Sequence, residues 1–168
     1  YGDWSGSTIG NVPIGQGLAV IPIQMVQAYG ALANGGILRP PRLIEKIDGQ
    51  NVPEAKGRRI IKPEVAAEVR DMLKGVLAPG GTASEVSVPG YTLAGKTGTA
   101  QVATEDGYSD TQYVASFVGV APADDPAIVV SIMVNQPEGA HTGGEVAAPG
   151  FGELASFTLP YLGVPTDQ

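Results

Sequence analysis

The residues best equipped for chemistry lie at 94–101, in the run Ala-Gly-Lys-Thr-Gly-Thr-Ala-Gln. Lys96 brings a compact positive charge, Thr97 and Thr99 bring hydroxyls, and Gly98 leaves room for another chain to lie close. Two chemistries fit these residue types. One is a phosphate loop, whose G-x-x-x-x-G-K-[ST] pattern is matched letter by letter from Gly90 to Thr97. The other is a strand that holds an extended peptide ending in a carboxylate, bound by strand addition. The residues just after the motif separate the two. A phosphate loop runs directly into a helix, whereas Gly98-Thr99-Ala100-Gln101-Val102 leads to a turn and two further strand-like runs. Tyr91-Thr92-Leu93 favours extended structure, and no strong strand signal precedes Gly90. The segment therefore reads as a strand, with Lys96 and Gly98 on one side and Thr97 and Thr99 on the other.

The elements that must position this strand can be read from punctuation and periodicity. A helix fits 22–34: Pro22 suits its first turn, Ile21, Met25, Val26, Tyr29, Leu32 and Ala33 recur at helical spacing, and Asn34-Gly35-Gly36 stops it. Two extended pieces come next at 42–48 and 58–61, with Asp48-Gly49-Gln50-Asn51 as the turn between them. A second helix fits 63–77, with Val65, Val69, Met72, Leu73 and Val76 as its apolar stripe. Strands are expected at 91–103, 112–121 and 127–135, joined by turns at 105–107 and 122–126 and so antiparallel. Ile128 to Val134 is nearly all apolar, which predicts a central strand covered on both faces. A last helix fits 147–162, with Phe151, Leu154, Ala155, Thr158 and Leu159 inward. The fold class is α+β, an antiparallel sheet flanked by helices. Three strands make a thin domain, so completion of the sheet by another segment is expected.

Composition narrows the function classes. The 168 residues suit one domain or a large piece of one. A formal net charge of -7 argues against nucleic acid as the main partner. With no cysteine, disulfides and thiolate metal sites are excluded. His141 is the only histidine and lacks a Ser–His–Asp setting, so it receives no catalytic role. Asp124-Asp125 sits between prolines and reads as a hairpin tip rather than a metal site. No cofactor and no metal are expected. Gly15-Gln16-Gly17 reads as a tight approach to the first helix, and Trp4 as a packing anchor. No apolar run is long enough to span a bilayer. The opening on Tyr1 without methionine suggests a piece of something longer.

The run at 94–101 resembles the third motif of the penicillin-binding proteins, serine D,D-transpeptidases whose set is S-x-x-K, S-D-N and K-T-G. Further blocks resemble the class B members in the same order: 10–17 (GNVPIGQG), 31–36 (ALANGG), 115–122 (ASFVGVAP) and 146–149 (VAAP). The stretch 3–8 (DWSGST) is most similar to actinobacterial septal, cell-division enzymes. The resemblance implies the C-terminal portion, across 1–168, of a transpeptidase domain with the serine β-lactamase-like fold. It implies cross-linking of peptidoglycan stem peptides through a serine ester, and acylation by β-lactams. In the roles so implied, Lys96 supplies positive potential and serves the proton network, and Gly98 admits the substrate backbone. Thr97 and Thr99 bind the substrate carboxylate, and the Thr99 N–H forms half of an oxyanion hole. No serine here matches S-x-x-K or S-x-N, so the nucleophile-bearing part is expected upstream of Tyr1 and this chain alone is expected to be inactive. The implied partners are stem peptides, β-lactams, that upstream part and cell-division proteins, at the extracytoplasmic face of the cell membrane. The alternative is a non-catalytic transpeptidase-like module that binds wall peptide or a division partner.

Overall fold

Proline opens the two longer helices that precede the three-stranded sheet, at Pro22 and Pro63, where its missing N–H costs nothing. The computed structural model describes residues 6, 8–15, 18–105 and 107–167. Trp4, Ser7 and the pair Gln16 and Gly17, to which the sequence assigned a packing anchor, part of a family block and a helix approach, lie outside the described residues. A short helix α1 (Thr8–Asn11) and a 3-10 turn (Val12–Ile14) come first, then α2 (Pro22–Ala33). The Ile21 N–H donates to the Gln24 side chain at 3.0 Å and steadies the start of α2. At its end, Asn34 bonds both the carbonyl (2.8 Å) and the N–H (2.9 Å) of Ile37. Gly36, at φ +98°, sits where an added Cβ would lie 2.0 Å from the Ile61 carbonyl oxygen, so only glycine fits.

The next stretch departs from the sequence expectation. Strands β1 (Ile37–Leu38) and β4 (Arg58–Arg59) pair with each other, while β2 (Lys46–Ile47) pairs with β3 (Gln50–Asn51). The turn is therefore Asp48-Gly49 alone, both at positive φ (48° and 77°), and Gln50 and Asn51 belong to a strand. A two-residue turn of this left-handed kind closes a tight hairpin, which leaves 58–61 to find the chain leaving α2 instead. Helix α3 (Pro63–Lys74) ends before the expected 77, continuing only as turns. Its inward face is Ala66, Val69 and Leu73. Val65 and Met72 of the proposed stripe point outward, Met72 with 67% exposure.

Strands β5 (Ala94–Thr104), β6 (Gly107–Ala121) and β7 (Ile128–Asn135) form an antiparallel sheet in the order β5-β6-β7. The central strand is thus β6, not β7. The apolar run in β7 correctly marks a strand with both faces covered, but being covered and being central are separate properties. Ile128, Val130 and Ile132 pack with Phe117, Phe151 and Leu159 on one face. Val129 packs with Ala94, Val120, Ala33 and Leu73 on the other. The first face is closed by α5 (Ala148–Tyr161), reached through the one-turn helix α4 (Gly143–Val146). The second is closed by α2 and α3. Phe151, Ala155 and Leu159 of α5 are fully buried, whereas Leu154, expected inward, is 45% exposed because it falls on the opposite side of the helix.

Candidate active site

Strand β5 lies at one edge of the sheet, paired with β6 on one side only. Its register sets Lys96 opposite Val118, Thr97 opposite Phe117, Gly98 opposite Ser116 and Thr99 opposite Ala115. A bulge between Gln101 and Ala103 ends this regular stretch just beyond the motif. The strand is seated by close packing under it. A Cβ on Gly95 would come 2.4 Å from the Phe117 ring, so the missing side chain lets β5 settle on the core. Gly98 serves a neighbour as well: an added Cβ there would meet Ser116 Oγ at 2.5 Å.

The candidate side chains differ in their freedom. Lys96 is exposed, and its ammonium donates to the Thr97 carbonyl at 2.9 Å and to Thr97 Oγ1 at 3.4 Å. Thr97 is half-buried and shares a 2.8 Å hydrogen bond with the hydroxyl of Thr82. Thr99 is exposed, and its hydroxyl accepts the Gly143 N–H at 3.0 Å, which leaves the Thr99 proton free to be donated. A positive charge and an oriented hydroxyl donor therefore stand on one strand edge, a combination suited to a carboxylate.

Two participants escaped the sequence reading. Thr82 follows a Gly-Gly turn and Gly143 opens the short helix α4, 15 and 44 residues from their partners, so no local spacing announces them. Gly143 is held tightly: a Cβ there would lie 2.2 Å from the Ser116 carbonyl oxygen and 2.5 Å from that of Gly98. Its neighbour Thr142 caps α4, accepting the Glu145 N–H at 3.3 Å and donating to the Glu145 carboxylate at 2.6 Å. His141 stacks on Tyr113 with ring centroids 4.2 Å apart, a packing contact. Asp124 bonds Lys74 at 2.7 Å, in keeping with a hairpin tip. A concavity of about 410 Å³ lies between the end of α3 and residues 86–93, and none of its lining residues belongs to the Lys-Thr-Gly run.

Residues 2–156 match the family model described as penicillin binding protein transpeptidase domain. The chain is 42% identical to penicillin-binding protein PbpB of Mycolicibacterium smegmatis, over 96% of this chain and 27% of that protein. It is 36% identical to a probable peptidoglycan D,D-transpeptidase, PbpC, of Pseudomonas aeruginosa, over 98% of this chain and 28% of that one. Among solved structures, penicillin-binding protein 3 of Mycobacterium tuberculosis complexed with ampicillin superposes with a TM-score of 0.87 at 39% identity, over 98% of this chain and 40% of that one. The chain thus spans a little over a quarter of the length of these curated relatives.

Proposed function

The chain belongs to the penicillin-binding protein transpeptidase family, and from that premise we propose that it is the C-terminal part of a class B peptidoglycan D,D-transpeptidase. The observation that carries this reading is the edge strand β5, which carries the exposed Lys96 ammonium and, three residues on, the exposed Thr99 hydroxyl already oriented by the Gly143 N–H. The nucleophilic serine and its activating lysine belong, in this reading, to the part of the protein outside these residues. The serine oxygen attacks the carbonyl between the last two D-alanines of a stem peptide, and its proton passes through the local base to the departing amine. D-alanine leaves, an amine of a second stem takes the acyl group, and the serine recovers its proton.

Within that reaction, Lys96 supplies positive potential beside the reacting centre. Thr99 donates its hydroxyl proton to the terminal carboxylate, or to the carboxylate of a β-lactam, while its N–H faces the developing oxyanion. Thr97 is the second carboxylate donor, free to give its proton when Thr82 is the donor in the hydrogen bond the two hydroxyls share. Preorganised donors of this kind are worth ~10²–10³ in rate each. The substrates are peptidoglycan stem peptides, and β-lactams act as their mimics. Cell-division proteins are the expected partners, and the place of action is the outer face of the cytoplasmic membrane. Among the described residues no helix is long and apolar enough to cross a membrane.

A specific observation favours one second reading. No serine in the chain stands in an S-x-x-K setting, which suits a binding module without catalysis. Labelling of the full-length protein with a fluorescent penicillin separates the two. The transpeptidase reading expects a covalent adduct, slowed about 10²-fold or more by Lys96→Ala, in line with the loss of a group serving proton transfer. Labelling unaffected by Lys96→Ala would remove Lys96 from the reaction.

A further inference from the structure

Residues 142–167 form one continuous stretch that grips β5 at its middle and the residues leading into it. At the middle, the Gly143 N–H holds Thr99 Oγ1 at 3.0 Å. Ahead of the strand, the segment after α5 folds back over residues 90–92. The Thr92 N–H donates to one oxygen of the Asp167 carboxylate at 2.7 Å, and the Thr92 hydroxyl donates to the other. The Asp167 N–H in turn donates to the Gly90 carbonyl at 3.0 Å, and the buried Tyr91 donates its hydroxyl to the Val164 carbonyl at 2.7 Å. The Thr92 carbonyl is taken as well, by the Ala123 N–H at 2.9 Å. Between the two grips, α5 is fixed to the sheet by Phe151, Ala155 and Leu159, all fully buried. Lys96 and Thr97 hang between anchors seven residues apart, roughly 23 Å along an extended strand.

We propose that Asp167 is a positioning residue: through Thr92 it fixes the start of β5, and so the placement of Lys96, Thr97 and Thr99 against the substrate. A carboxylate that takes two donors of one residue fixes direction as well as distance, which a single bond would not. The edge position of β5 makes such an anchor useful, because among the described residues β6 alone pairs with the strand. This role rests on the transpeptidase reading.

The test uses the full-length protein and a fluorescent penicillin, with the binding constant and the first-order acylation step measured separately, beside the melting temperature. Asp167→Ala is expected to slow the acylation step about tenfold or more, since a ~1 Å misplacement far from the chemistry can cost ~10²-fold. Asp167→Asn keeps an acceptor for the Thr92 N–H and offers its amide to the Thr92 hydroxyl, so it is expected to restore most of the rate. An Asp167→Ala protein that melts earlier but acylates at the wild-type rate overturns the proposal. If Asp167→Ala does not fold, Thr92→Val decides: it keeps the backbone bond and removes only the hydroxyl, and a slowed acylation step supports the role while a wild-type step refutes it. A wild-type protein that takes no penicillin at all overturns the transpeptidase reading, and the positioning role falls with it.

Discussion

Thr99 carries more of the proposed chemistry than any other side chain here, because its hydroxyl is oriented before a ligand arrives. The Gly143 N–H occupies one lone pair and leaves the proton to be donated outward. Thr99→Val in the full-length protein removes that donor but keeps the backbone N–H. Penicillin binding is expected to weaken by about 10- to 100-fold, the worth of a hydrogen bond to a charged group, with a smaller effect on the acylation step. A binding constant unchanged in stopped-flow labelling would take Thr99 out of carboxylate recognition. The placement of Lys96, Thr97, Gly98 and Thr99 on a strand was legible because strand alternation is local. The sequence could not disclose Thr82, Gly143, Ser116 or Asp167, whose contacts with the strand are made across the fold. Gly98 shows the limit well: the sequence gives it to an approaching ligand, yet Ser116 Oγ already lies where its side chain would be.

Helix α4 and strand β5 meet at Gly143, whose N–H holds the Thr99 hydroxyl and whose Cα lies against the Ser116 and Gly98 backbone. Gly143→Ala would drive a Cβ into the Ser116 and Gly98 carbonyl oxygens, neither of which can swing aside. A loss of about 1–3 kcal/mol is expected from such overpacking, read as a lower melting temperature together with slower acylation, because the Thr99 anchor moves too. Full stability and activity in that variant would mean that α4 does not set β5. The β6–β7 turn is held from the other face of the sheet, where Arg70 donates to the carbonyls of Ala123 (3.2 Å) and Leu32 (2.6 Å) and Lys74 pairs with Asp124 (2.7 Å) and Asp71 (3.2 Å). The Lys74 ammonium is held above the ordinary lysine range, chiefly by its hydrogen bond to Asp124. A raised folded-state value means the stabilisation is complete below the free lysine value of 10.5 and is lost as pH climbs through the folded one. Lys74→Met should therefore cost no more than about 1 kcal/mol at neutral pH, as surface pairs do, and the difference from wild type should vanish in strong alkali. A penalty that persists there would point to packing of the lysine stem instead. The helices were legible because prolines, Asn34-Gly35-Gly36 and apolar spacing are local signals. The pairing of β1 with β4 was not, since it depends on Asp48-Gly49 closing its own hairpin first.

At the scale of the whole chain, two apolar layers sandwich a sheet that has three strands among the described residues, where β7 is an edge although both its faces are covered. That arrangement explains why Ile128 to Val134 reads as a central strand in the sequence: apolarity reports covered faces and is silent about lateral neighbours. Met133, near the end of β7, remains 48% exposed. A strand with covered faces and a bare edge is a natural seat for a further strand, which fits a chain spanning 27% of its mycobacterial relative. Intact-mass analysis after incubation with a penicillin puts the division of labour to the most direct test, run on this chain alone and on the chain joined to its natural upstream segment. One penicilloyl adduct on the joined protein and none on the chain alone is the expected result, because in the proposed reading Lys96, Thr97 and Thr99 bind and orient but do not attack. An adduct on the chain alone would make one of its own serines the nucleophile and contradict that assignment, and no adduct on a folded joined protein would contradict transpeptidase chemistry itself.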